Sequence, residues 1–228
     1  MLPLAEPSLI PFLNPQVVVV FCASTNPAKL GYGIALNLVN SGYPGAIHFI
    51  NPKGGNLFDR PIYPDLSEVP DPADLVVILV PAGAVPAILE ACGQRGIRAA
   101  IISSGGFRET GPRGAELEEA CLVISRRHKM RLMGPNCIGL LNTNLPLDTT
   151  FLPPPAPPPG DIACISHSGA ICAAIVDWSR GQEFGFSHMI SLGNQTDVTE
   201  TDVLAPVAAD PNTSVITLYL ESVSDGNS

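Results

Sequence analysis

Four short stretches of this 228-residue chain hold side chains suited to gripping an anionic ligand. Asn51-Pro52-Lys53 follows an apolar run, at the place where a dinucleotide-binding fold usually carries an acid for the ribose diol. A lysine ammonium is donor-only. It suits a ribose that bears a phosphate, as in NADP or coenzyme A, though a lone lysine after a strand is more often just solvated and counts only in combination. In Cys22-Ala-Ser-Thr-Asn-Pro-Ala-Lys-Leu-Gly31-Tyr-Gly33, the donors of Ser24, Thr25 and Asn26 could face a phosphate and Lys29 could neutralise it. The helix start adds oriented N–H groups. The same residues would also make an ordinary polar loop, and they are not G-x-G-x-x-G. Gly134-Pro-Asn-Cys-Ile-Gly139 presents Asn136 and Cys137 on a turn fixed by proline and freed by two glycines. A tight turn around a buried cysteine does not by itself ask for an asparagine there. Ser166-His-Ser-Gly-Ala170 brings two hydroxyls to a helix N-terminus, an anion site or a simple serine cap. It is not the G-x-S-x-G of a nucleophile elbow, so a serine hydrolase is not expected.

Two more loops are less distinctive. Pro81-Ala82 forms an apolar shelf suited to an adenine edge or a thin chain, or else a helix start. Ser103-Ser104-Gly105-Gly106-Phe107 permits close backbone approach or simply a turn with positive φ.

Elements that could position these loops alternate along the chain. Strands are expected over Val17–Phe21, Ala46–Ile50, Leu75–Val80, Ala99–Ser103 and Arg131–Met133. Helices are expected over Gly31–Asn40, Ala84–Arg95 and Ala115–Lys129. Gly42 and Gly96 follow the first two helices as stop signals. This pattern implies an α/β, Rossmann-like, doubly wound parallel sheet with its ligand at the carboxyl ends of the strands. Six prolines between Pro153 and Pro159 then read as a stiff linker. The expected division is a first domain over 1–151, a linker over 152–160 and a second unit over 161–228. That unit repeats the pattern with strands Asp161–Ile165, His188–Ser191 and Val215–Leu220, and helices Ala170–Arg180 and Glu200–Ala208. Three strands make a partial flavodoxin-like domain, one expected to be completed by a continuation or partner chain.

Composition narrows the function. The net charge is −9, which argues against nucleic acid as a partner. A few cations in one cleft still suffice for a small phosphorylated ligand. No apolar run is long enough to span a bilayer. Met1–Gln16 has neither Lys nor Arg and is interrupted by prolines, unlike a secretory signal. Six cysteines show no zinc-ligand spacing and read mostly as buried free thiols in a reducing, cytoplasmic setting.

Taken together, the blocks ASTNPAKLGYG, INPKGG, YPDLSEVPDPADLVVILVPA, ISSGGFRETG, RLMGPNCIGLLNT, ISHSGAICAAIVDW, SLGNQTDVTETDVL and LYLES resemble the NDP-forming acyl-CoA synthetases. That superfamily includes ADP-forming acetyl-CoA synthetase and the succinyl-CoA synthetase alpha subunit. The resemblance runs from about Asn14 to Asp225. It implies a CoA-binding Rossmann-like domain followed by the start of a ligase domain. By this resemblance Ser24, Thr25, Asn26 and Lys29 lie near the CoA phosphates, with Tyr32 and Asn51 beside them and Lys53 on the ribose-phosphate side. Pro81, Ala82, Ser104 and Gly105 line the nucleotide and pantetheine path, and Asn136 and Cys137 sit near the thiol end. Ser166, Ser168 and Gly169 match a phosphate cradle, and Glu221 matches the acid that orients a phosphohistidine. Glu221 and Asn136 are the expected catalytic residues.

The implied reaction is acyl-CoA + NDP + phosphate ⇌ carboxylic acid + CoA + NTP, through an acyl phosphate and a phosphohistidine. ADP/ATP or GDP/GTP and Mg belong to the complete enzyme, with an ATP-grasp domain or subunit as partner and a homo-oligomer expected. None of the four histidines matches the phosphorylated position, so the chain alone is expected to be inactive. Two residues depart from the family pattern: Cys22 stands where glycine is usual, and His167 where Gln or Arg is frequent. Two other readings compete. One is a CoA-sensing regulatory module of a protein acetyltransferase. The other is an NADP-dependent oxidoreductase, disfavoured by the missing G-x-G-x-x-G.

Overall fold

A computed structural model describes residues 8–182 and 184–222. The first residues of the Met1–Gln16 segment and the last six of the 161–228 unit lie outside the described residues. A short helix, α1 (Ile10–Leu13), leads into β1 (Val17–Phe21), an all-apolar strand buried along its whole length. Such a run belongs to a strand covered on both faces. Each valine withdrawn from water contributes roughly 1.5–3 kcal/mol.

The chain then builds α2 (Leu30–Asn40), β2 (Ala46–Ile50), β3 (Gly55–Leu57), β4 (Arg60–Tyr63), β5 (Leu75–Ile78), α3 (Val85–Gln94), β6 (Ala99–Ile102), α4 (Pro112–His128) and β7 (Arg131–Met133). The seven strands form one sheet in the order β3-β4-β2-β1-β5-β6-β7, parallel throughout except for the β3–β4 pair. The chain moves outward from β1 on one side, returns, and resumes beside β1 as β5. The topological switch point therefore lies between β1 and β5, where open α/β sheets bind their ligands.

The expected strands and helices of this half are present with small boundary shifts. Strand β5 ends at Ile78 rather than Val80. Helix α4 begins at Pro112 rather than Ala115, since proline is pre-organised for the first helical position. The β3–β4 hairpin was not expected. Its strands are short, and Gly54, Gly55 and Asn56 read as loop.

A second sheet has the order β12-β10-β11-β8-β9, from β8 (Leu140–Asn142), β9 (Leu147–Asp148), β10 (Pro159–Ser166), β11 (Phe186–Ser191) and β12 (Val215–Tyr219). Strand β10 runs parallel to β11 and β12, while β8 is antiparallel to both β11 and β9. Helices α5 (Gly169–Ser179) and α6 (Glu200–Ala208) complete this half. Pairing thus enters the second sheet at Leu140, upstream of the prolines. The proline-rich segment is a return path from β9 to β10, and both halves hold it. From the first half, Asn37 Nδ2 donates to the carbonyls of Thr150 and Leu152, each at 2.9 Å. From the second, Arg180 donates to those of Pro155, at 3.0 Å, and Pro153.

Candidate functional site

The first cleft opens at the switch point and has a volume of about 530 Å³. Residues following three adjacent strands meet in it: Cys22–Asn26 after β1, Asn51, Lys53 and Gly54 after β2, and Leu79 after β5. Lys29, Leu30 and Gly31 close it from the start of α2. Cys22 has a φ of +69° and turns the chain away from the sheet. This is the left-handed region, which explains why glycine suits the position. Gly31 is required for a different reason. A Cβ there would lie 2.1 Å from the Cys22 carbonyl oxygen, so the helix could not pass this close to the strand end.

Local hydrogen bonds shape the cleft's walls. Asn51 Nδ2 donates to the Ala23 carbonyl at 2.9 Å, and its Oδ1 accepts from the Lys53 N–H at 3.0 Å. Asn51 is therefore a brace that ties the two loops together and aims the Lys53 turn. Ser24 Oγ accepts from the Asn26 N–H, and Asn26 Oδ1 from that of Ala28. No side chain caps α2, whose N-cap residue is Lys29. The cleft therefore presents two exposed ammonium groups, small hydroxyls and an uncapped helix start. A phosphorylated ligand is what that combination can hold.

Several expected residues lie outside this cleft. The Tyr32 ring packs on Phe58, with centroids 5.3 Å apart. Pro81 and Ala82 begin a single 3-10 turn. Ser104 is buried, and its Oγ accepts from the Val80 N–H at 3.0 Å, joining the loops after β5 and β6. Gly105 stands near the side chains of Asn136 and Glu109 instead.

A second cleft of about 450 Å³ lies where the two sheets meet. Ser103, Asn136 and Cys137 line it from the first half; His167, Ser168, Gly169, Asn194 and Glu221 line it from the second. Asn136 adopts φ +58°, and its Nδ2 faces Asn194 Oδ1 at 3.4 Å. Ser168 Oγ caps α5 by accepting from the Ile171 N–H at 3.4 Å. Ser166 is fully buried beneath this turn, accepting from the Ser168 N–H at 3.0 Å and donating to its carbonyl at 2.9 Å. It shapes the cradle from below, and Ser168 and Gly169 form the surface. Burial pushes the Cys137 thiol up to about 12, so it is a neutral wall rather than a nucleophile.

Five residues of this region were not singled out from the sequence. Asn194 Nδ2 donates to Glu109 Oε2 at 2.8 Å and to Glu118 Oε2 at 2.9 Å, and Arg108 donates to the Asn194 carbonyl. Burial raises the Glu109 carboxyl, but the Asn194 amide and the Gly106 and Phe107 N–H groups outweigh it and hold it below its ordinary range. Glu200, buried at the start of α6, stands 3.3 Å from His167 Nε2. The signal available in the sequence was Gly193-Asn194, a turn directly after a strand. A Cβ on Gly193 would lie 2.2 Å from the Pro135 carbonyl oxygen, so this loop rests directly on the turn that carries Asn136.

Among the described residues, no group of His, Cys, Asp or Glu is arranged to hold a metal ion, and no helix is long and apolar enough to cross a membrane.

Comparisons with known proteins give the family. A family profile described as a CoA binding domain matches residues 16–143. A second, described as a succinyl-CoA ligase like flavodoxin domain, matches residues 159–228. An ADP-forming acetate–CoA ligase I of Archaeoglobus fulgidus is 40% identical over 212 residues, covering 93% of this chain and 30% of the relative. The alpha subunit of the corresponding Pyrococcus furiosus enzyme is 40% identical over 223 residues, covering 96% and 48%. The apo dinucleotide-forming acetyl-coenzyme A synthetase 1 of Ca. Korarchaeum cryptofilum superposes with a TM-score of 0.91 at 36% identity, over 96% of this chain and 47% of that one. The chain spans about half or less of the length of these relatives.

Proposed function

The chain belongs to the CoA-binding domain family and carries a ligase-like flavodoxin region behind that domain; from this premise we propose that it is the CoA-binding portion of an NDP-forming acyl-CoA synthetase. The complete enzyme would interconvert acyl-CoA, NDP and phosphate with a carboxylic acid, CoA and NTP. It would draw on an ATP-grasp domain or subunit, a nucleotide with Mg, and a phosphohistidine outside this chain. A homo-oligomeric, cytoplasmic protein fits this reading, as do its six free cysteines.

The observation that carries the proposal is the cleft at the switch point, lined by Lys29 and Lys53 together with the Ser24–Asn26 loop. CoA differs from NAD in its 3′-phosphate, and Lys53 follows β2 where an acid would serve a free diol. The residues present fit that group. The polar loop and the α2 start bind phosphate oxygens, while Lys53 pairs with the ribose phosphate. CoA would supply the thiol that becomes the thioester.

The second cleft is then the place for the anion that reacts. Ser168 and the Gly169 helix start hold phosphoryl oxygens, Asn136 donates to them, and Glu221 stands at the rim to orient an imidazole brought from elsewhere. Fixed dipoles stabilise charge that shifts during transfer, without reorganising at the moment of reaction.

Titration calorimetry with CoA, dephospho-CoA and NADPH tests the reading. Micromolar-range CoA binding with no NADPH heat supports it. NADPH bound and CoA ignored would overturn it.

A further inference from the structure

His167 lies in the middle of the Ser166–Gly169 cradle, yet its ring does not serve an anion directly. It is buried, and its two nitrogens face two different elements. Nδ1 accepts from the backbone N–H of Glu221 at 3.2 Å. Nε2 stands 3.3 Å from Glu200 Oε2, and both atoms are buried without a hydrogen bond in the described structure. The backbone N–H of His167 also donates to the Tyr219 carbonyl at 3.0 Å. One residue thus holds both sides of the peptide segment that carries Glu221 out of β12. The direction of the Glu221 bond fixes the tautomer. A nitrogen that accepts from an N–H carries no proton, so the proton sits on Nε2, opposite the Glu200 carboxylate.

We infer that His167 is a positioning residue. As the neutral Nε2–H tautomer beside Glu200, it sets the place of Glu221 at the rim of the second cleft. A ring with its proton on Nδ1 would leave the Glu221 N–H facing a donor and without its acceptor. The charged and titratable groups around the ring are Glu200 at the start of α6 and Glu221 at the end of β12. Across the cleft stand Glu109 and Cys137. Glutamine offers the same pair of groups, an oxygen to accept from Glu221 and an amide to face Glu200.

This inference rests on the second cleft being an anion site, and the test separates the two. Proton–nitrogen correlation spectra of the histidine rings and of the Glu221 amide are recorded at mildly alkaline pH, without and with inorganic phosphate. The expected result is an Nε2–H tautomer for His167. His167→Gln keeps the Glu221 amide position, and His167→Ala displaces it. An Nδ1–H tautomer, or a Glu221 amide unmoved in His167→Ala, overturns the inference, and the tautomer is read on the unmodified chain. Absence of phosphate binding with the amide still displaced in His167→Ala would sink the anion reading alone and leave the positioning role standing.

Discussion

Asn136 and Asn194 meet amide to amide at 3.4 Å, one on the turn after β7 and the other on the loop after β11. Asn194 also satisfies two carboxylates, Glu109 and Glu118, and its own N–H donates to the Pro135 carbonyl at 2.8 Å. One buried side chain thus fixes how the two halves of the second cleft face each other.

Asn194→Ala should therefore destabilise the protein by about 2–3 kcal/mol, because partners are left without a donor. Asn194→Asp is nearly isosteric but places a third carboxylate beside two others, so it should cost more than alanine. Urea midpoints of the two variants check this. An aspartate variant as stable as the parent would show that the amide is not the hub.

Lys53→Ala should weaken CoA about two- to fivefold, as for an exposed ion pair, and leave dephospho-CoA nearly unchanged. The difference should shrink in high salt, where exposed charges are screened. Calorimetry with both ligands measures it, and equal losses for the two would remove Lys53 from the ribose phosphate.

Thiol labelling should separate Cys22 from the other five cysteines. Cys22 is half-buried in the first cleft, while Cys92, Cys121, Cys137, Cys164 and Cys172 are buried. Burial pushes Cys92, Cys121, Cys137 and Cys172 up to about 12 and raises Cys164 as well. One thiol should react in the native protein, all six after unfolding, and CoA should slow the first. Labelling of Cys22 at an unchanged rate under saturating CoA would place the ligand elsewhere.

Asp148 should make stability depend on pH in an unusual direction. Burial raises its carboxyl from 3.8 to about 6, against the opposing hydrogen bonds from Thr150. The folded state then holds the proton more tightly than the unfolded chain does. This group's cost is fully present above pH 6 and is relieved as pH falls from about 6 towards 3.8. Asp148→Asn should raise stability by about 2–3 kcal/mol at neutral pH, and the gap to the parent should close over that acid range. Thermal melts of both proteins across pH give the answer. A gap that widens on acidification would contradict the sign.

The first sheet was legible because its central strands are uninterrupted apolar runs between turn residues, as in Val17–Phe21 and Leu75–Ile78. Strands β3, β4, β8 and β9 were not, since two to four residues show no period. The sheet membership of Leu140–Asn142 is decided by β11, more than forty residues away. The first cleft could be read from position alone, because Lys53 and the Ser24–Lys29 loop follow strands. The second could not be completed that way. Glu109, Glu118, Asn194 and Glu200 acquire their roles only when the two halves pack, and His167 was legible only as a departure from the family pattern between two serines.

The return path through the prolines carries one more implication. Strands β8 and β9 lie in the second sheet but precede that segment, while Asn37 and Arg180 grip it from opposite sides. A protease cutting between Pro153 and Pro158 would break the covalent thread without parting the molecule. The two fragments would stay zipped edge to edge and travel through a sizing column as one particle.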